Sequence, residues 1–173
     1  IAQLGFGSFV LVVSNDVPVN NYDEFKTYIR KNPEKFNLGF WNRYTTPVLL
    51  EWAKLEKLPT PTIIPYKGTA PQLSDLLGGH LLFAFDSWAA TAPHYDANKL
   101  KIIAVLDGNG FKYITGKRPN LKLVDLSAKH PDLAVPIWHG MMGPSGIPPE
   151  VVKEINTVIV NALKNPAYYQ ELE

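Results

Sequence analysis

Short apolar, β-branched runs alternate with helix-period segments along almost the whole chain, and this alternation restricts its fold more than any other feature. The runs are Phe9–Val13, Phe36–Leu38, Thr62–Pro65, Leu81–Phe85, Leu100–Leu106 and Ile137–Met142. Between them the spacing predicts helices over about 22–31, 47–57, 71–77, 88–95 and 149–163, with an irregular stretch before Ile137. Strand-helix alternation of this kind builds an α/β fold, a mainly parallel sheet flanked by helices.

Several helix ends are specified residue by residue. Asn21 is placed to accept from first-turn amides while Glu24, three residues on, reaches back, and Phe25, Tyr28 and Ile29 then share one apolar stripe. Thr46 before Pro47 reads as an N-cap followed by proline at the first helical position. Leu73, Leu76 and Leu77 line one face of a helix opened by Pro71, and Gly78-Gly79 ends it in the left-handed region that glycine enters freely. Val151, Ile155, Val158, Ile159 and Ala162 form the stripe of the last long helix, which Lys164-Asn165-Pro166 halts.

Composition removes several function classes. The 173 residues carry 17 Lys+Arg against 16 Asp+Glu, a formal charge of +1, with no basic block to attract nucleic acid or an anionic membrane surface. No cysteine is present, which excludes disulfides, thiolate metal sites and a cysteine nucleophile. His80, His94, His130 and His139 are scattered, and no nucleophile elbow, phosphate loop or paired-histidine motif occurs. Gly5-Phe6-Gly7-Ser8 precedes a strand instead of a helix, the wrong order for a dinucleotide loop. The expectation is a non-enzyme with no metal and no cofactor. The chain starts at Ile1 and stops at Glu173 inside a helix-like segment with Tyr168, Tyr169 and Leu172, so both ends read as cuts in a longer chain.

In an open parallel sheet, ligands bind beyond the carboxyl ends of the strands, so the strand-to-helix loops are where function is sought. Three stand out. The first holds Phe40, Trp41, Asn42, Arg43, Tyr44, Thr45 and Thr46, ending at a helix N-terminus where free amides and the helix dipole favour a carboxylate. The second holds Tyr66, Lys67, Gly68 and Thr69; the third is Asp86 and Ser87. Tyr66, Thr69 and Ser87 supply hydroxyls that orient a polar ligand without catalysing anything. Lys67 reads equally as a solvated charge, and Asp86 equally as an N-cap.

The stretch Pro-Tyr-Lys-Gly-Thr-Ala-Pro-Gln-Leu-Ser-Asp-Leu-Leu-Gly-Gly-His at 65–80, with Phe85-Asp86 and Ala92-Pro93-His94, resembles the signature of the Bug-type extracytoplasmic solute receptors of tripartite tricarboxylate transporters. The resemblance continues through Trp138-His139-Gly140-Met141-Met142-Gly143-Pro144 to Pro149. It implies a type II periplasmic-binding-protein fold, two α/β lobes joined by crossing strands and closing on a small organic acid, usually a carboxylate. It implies as well membrane permease subunits as partners and a periplasmic location. Carried over, residues 40–46 are the second-lobe ligand loop, and Asp86 and Ser87 fall at a cleft-facing strand end.

On the same resemblance, residues 1–13 correspond to a first-lobe remnant and crossing strand, 14–136 to the second lobe, and 137–173 to the return crossing and truncated first-lobe helices. Such remnants leave apolar faces through which the piece is expected to self-associate. Family members keep the 40–46 loop small, whereas Phe40, Trp41, Arg43 and Tyr44 are bulky here. The expected ligand is therefore either aromatic, stacked on Phe40 or Trp41, or anionic and paired to Arg43. The competing reading is the sensor domain of a LysR-type transcription regulator, which shares the two-lobed fold.

Overall fold

The protein is described by a computed structural model covering residues 1–42 and 46–166. It divides into two compact units, Ser8–Pro136 and a second made of Ile1–Gly7 with the chain from Ile137 onward. The elements are β1 (Ala2–Ser14), α1 (Tyr22–Lys31), β2 (Asn37–Phe40), α2 (Thr46–Leu55), β3 (Thr62–Pro65), α3 (Thr69–Leu77), β4 (Phe83–Ser87) and α4 (Trp88–Asp96). There follow β5 (Leu100–Val105), α5 (Gly108–Lys117), β6 (Val124–Asp125), α6 (Leu126–Lys129), β7 (Pro136–Met141) and α7 (Pro149–Leu163).

In the Ser8–Pro136 unit the strand order is β3-β2-β4-β1-β5-β6. β2 pairs in parallel with β3 and β4, and β5 with β6, whereas β1 lies antiparallel to both β4 and β5. Five strands thus point one way and β1 alone opposes them, so the sheet is mainly parallel with helices on both faces. Val10, Leu11, Val12 and Val13 are all fully buried. A run without alternation is what a strand covered on both sides requires.

The register sorts the core into two faces. Leu11 pairs with Phe85 and Val13 with Phe83, so these four share a face. There Phe25 of α1 and Trp52 of α2 meet Phe83 and Phe85 with ring centroids 5.2 Å apart in each case. Val12 pairs with Ala84 on the other face, where they cluster with Leu73 and Leu76 of α3 and Ile114 of α5. Aromatic pairs of this kind contribute about 0.5–1.5 kcal/mol each beyond their buried area. The indole Nε1 of Trp52 donates to the Tyr22 hydroxyl at 2.8 Å, so the largest buried ring leaves no polar atom unpaired.

Local signals act as the residues dictate, with small displacements. Asn21 Oδ1 accepts from Glu24 N at 2.9 Å, while the Glu24 carboxylate accepts from Asn20 N at 2.8 Å and from Asn21 Nδ2 at 2.7 Å, one residue earlier than a standard box. α3 starts at Thr69 instead of Pro71, because a proline within the first turn still has no intrahelical bond to lose. At its end Gly79 takes φ +74°, His80 N donates to Asp75 O at 2.9 Å and Gly79 N to Leu76 O at 3.4 Å, a Schellman closure. The stretch read as irregular contains α5, whose three glycines at 108, 110 and 116 hide a helix held by the Asp107 cap and the burial of Ile114.

The other unit is described by itself. β7 pairs with β1, Ile1 N donates to Met141 O at 2.7 Å, and Asn156 Nδ2 of α7 donates to Ile1 O at 2.8 Å. Phe6, Trp138, Met142 and Val158 are exposed there, Phe6 by 77%. Among the described residues no helix is long and apolar enough to cross a membrane.

Candidate functional site

Because β2, β3 and β4 run in parallel, the loops after them emerge at one edge of the sheet. Register carries this through: Phe40 stands opposite Pro65 on β3, and Tyr66 N donates to Phe40 O at 3.1 Å. Phe9 of the opposed strand β1 pairs with Ser87 at the same edge. The three loops singled out by sequence are therefore neighbours.

One side chain ties them together. Asp86 is fully buried, and its Oδ1 accepts from Trp41 Nε1 at 3.0 Å, from Thr69 Oγ1 at 2.8 Å and from Ser87 N at 2.7 Å. Its Oδ2 accepts from Gln72 Nε2 at 2.9 Å, and the same nitrogen donates to Phe85 O at 3.0 Å. Asp86 is thus not the cap of α4; Ser87 is, accepting from Ala90 N at 3.4 Å. Burial of a carboxylate is tolerated only when its lone pairs are met, and here four donors converge on it. Gln72 and Phe9 escaped the sequence reading. The only prior sign of Gln72 was an amide inside the apolar face of α3, and Phe9 looked like any other core residue.

The remaining candidates fall around this knot. Phe40 is 3% exposed, packed against Phe9 at 5.3 Å and near Trp41 at 6.3 Å between centroids. Of the two rings expected to stack on a ligand, the half-buried Trp41 is thus the one with accessible surface. Its indole is held by Asp86 and by Phe9, 5.7 Å away. Tyr66 donates to Asp75 Oδ2 at 2.8 Å; burial, then that hydrogen bond and the Asp75 charge, push its phenol up to about 12, so it stays a neutral donor. Lys67 is exposed, Asn42, Ser87 and Thr46 are half-buried, and Arg43, Tyr44 and Thr45 lie outside the described residues.

Gly68 is the N-cap of α3 at φ +152°, with no side chain capping the helix and open space where a Cβ would stand. The first-turn amides of α3 are therefore left to whatever enters, while Thr69 and Asp86 hold the helix end in place. Together the ends of β2, β3 and β4 present main-chain donors beside the Ser87 hydroxyl, a chemistry suited to gripping an anion. Among the described residues no group of three or more His, Asp or Glu is placed to hold a metal ion.

A family model described as the tripartite tricarboxylate transporter family receptor matches residues 1–173. The UPF0065 protein in the gbd 5′ region of Cupriavidus necator is 28% identical over 173 residues, covering 99% of this chain and 51% of that protein. Periplasmic binding protein BugD aligns with TM-score 0.81 and 25% identity over 97% of this chain and 55% of its own. An R. palustris protein solved with adipate aligns with TM-score 0.82 and 23% identity over 98% of this chain and 56% of its own. The chain thus spans about half the length of the proteins it matches.

Proposed function

The chain belongs to the tripartite tricarboxylate transporter receptor family, and from that premise we propose that it captures a small organic acid for a membrane permease, without turning it over. The Ser8–Pro136 unit is read as the second lobe of a two-lobe receptor, spanning about residues 14–136. Residues 1–13 and 137–173 then belong to the crossings and the first lobe. The exposed Phe6, Trp138, Met142 and Val158 are in keeping with a face that the rest of a first lobe covers.

The observation that carries this reading is the Asp86 knot, which gathers the loops after β2, β3 and β4 around the uncapped N-terminus of α3. In that notch the α3 amides and the Ser87 hydroxyl hold one carboxylate, Thr69 and Tyr66 fix the notch by donating to Asp86 and Asp75, and Trp41 forms a wall. The second half of the grip comes from the other lobe. Closure of the two lobes on the ligand shifts an open-closed equilibrium, and the closed form is what the permease meets. The setting is the periplasm. The family match favours this over the sensor-domain reading.

A thermal-shift screen of mono-, di- and tricarboxylates on the two-lobe receptor tests the proposal. A bound acid stabilises by RT ln(1 + [L]/Kd), about 2.7 kcal/mol at a hundredfold excess over Kd, so the unfolding temperature must climb with concentration. If no carboxylate at millimolar concentration moves it, the receptor reading fails.

A further inference from the structure

At the same edge, one strand beyond β1, a carboxyl oxygen is buried with nothing to bind. Asp107 follows β5, and its Oδ1 caps α5 by accepting from Gly110 N at 2.7 Å. Its Oδ2 has no hydrogen-bond partner, although the residue is only 8% exposed. An acceptor left that way is costly, and the fold retains it.

The surroundings pack closely about the position. Leu106 N donates to Phe9 O at 3.0 Å, which sets Asp107 beside Ser8, the next residue of β1 toward the edge. Gly108 and Gly110 lack side chains; a Cβ on Gly110 would overlap Ser8 Oγ and stand 3.1 Å from Asp107 Oδ2. The carboxylate notch is adjacent, since Phe9 pairs with Ser87 and packs on Trp41. β4, β1 and β5 are successive strands. At about 4.8 Å per strand, Ser87 and Asp107 stand roughly 10 Å apart, the reach of a small bifunctional acid.

We propose that Asp107 Oδ2, beside Ser8, is a donor-accepting subsite, so that the acid captured here carries an ammonium or hydroxyl group besides its carboxylate. This rests on the carboxylate notch described above and narrows its ligand class to amino and hydroxy acids. A plain diacid brings no donor to Asp107, leaves the oxygen unpaired and adds a like charge near it, so the same atom that rewards one class rejects the other.

Calorimetry on the two-lobe receptor with matched acids tests this: aspartate and malate against succinate, and 2-aminoadipate against adipate. At least one donor-bearing acid is expected to bind about tenfold or more tighter than its plain counterpart, because a site built around a hydrogen bond discriminates against the analogue lacking it. Asp107→Asn keeps the helix cap, asparagine being as good there, but puts an N–H in place of the acceptor. That preference should then fall by about tenfold or more. Equal binding within every pair, or a preference that survives Asp107→Asn, overturns the subsite while leaving the carboxylate receptor intact. If none of these acids nor any other carboxylate binds, both readings fall. The wild-type comparison decides the matter by itself should the variant not fold.

Discussion

Replacing Asp86 by alanine should loosen the whole carboxyl edge of the sheet. Four donors lose their acceptor at once: Trp41 Nε1, Thr69 Oγ1, Gln72 Nε2 and Ser87 N. Trp41 and Thr69 are half-buried and regain water, so each accounts for about 0.5–1.5 kcal/mol net, while buried Gln72, keeping only Phe85 O, accounts for about 1–3 kcal/mol. Allowing for relaxation around the lost side chain, the expected loss is about 3–5 kcal/mol. Asp86→Asn is the informative partner. It retains the oxygen that accepts from Trp41, Thr69 and Ser87 and sets a donor against Gln72 Nε2, a conflict of about 1–2 kcal/mol at one contact. Urea unfolding followed by tryptophan fluorescence measures both variants. If Asp86→Ala costs under about 1 kcal/mol, or no more than Asp86→Asn, then Asp86 is not what binds these loops together.

Two further outcomes follow from the structure. Gly79→Ala should destabilise by about 1–2 kcal/mol in thermal unfolding, since φ is +74° and the new Cβ would stand 2.5 Å from Asp16 Oδ2; an unchanged unfolding temperature would contradict the Schellman closure of α3. Glu56 is buried, with Lys129 Nζ at 2.8 Å, His130 Nε2 at 2.9 Å and Lys26 Nζ at 3.6 Å. Burial pushes its carboxyl up, but the hydrogen bonds from Lys129 and His130 and the charges of Lys129 and Lys26 outweigh it, so the pKa lies below the usual range. A depressed folded-state pKa means that this stability is present above the unfolded value of about 4.3 and is lost as pH falls through the folded one. Urea midpoints measured down through that window should therefore fall more steeply for the wild type than for Glu56→Gln.

What was legible in the chain was local chemistry. Asn21 with Glu24, the Gly78-Gly79 exit and the buried run Phe9–Val13 state their roles within a few residues, and the structure places each within one or two positions. α5 was illegible because Gly108, Gly110 and Gly116 oppose helix formation, and tertiary burial of Ile114 with the Asp107 cap overrides them. The first half of β1 was missed for a like reason: Gln3, Gly5 and Gly7 have no strand preference, and pairing with β7, far along the chain, makes them one. In the candidate site, the loops were readable from strand-helix junctions, but their knot was not. Asp86 lies 45 residues from Trp41 and 17 from Thr69, and no pattern along the sequence announces who will donate to it.

The shared carboxylate also bears on how such a receptor changes its taste for ligands. Segments separated by tens of residues answer to one acid, so a substitution in the Trp41 stretch is felt at Thr69, and the reverse. Transplanting either stretch alone from a relative would import a donor without its acceptor geometry, or strand the acceptor that remains. New selectivity in the Ser8–Pro136 unit is therefore expected to arise by coordinated replacement of Trp41, Thr69 and Gln72 around a retained Asp86, or else at the far rim beside Ser8, which lies outside that set of contacts.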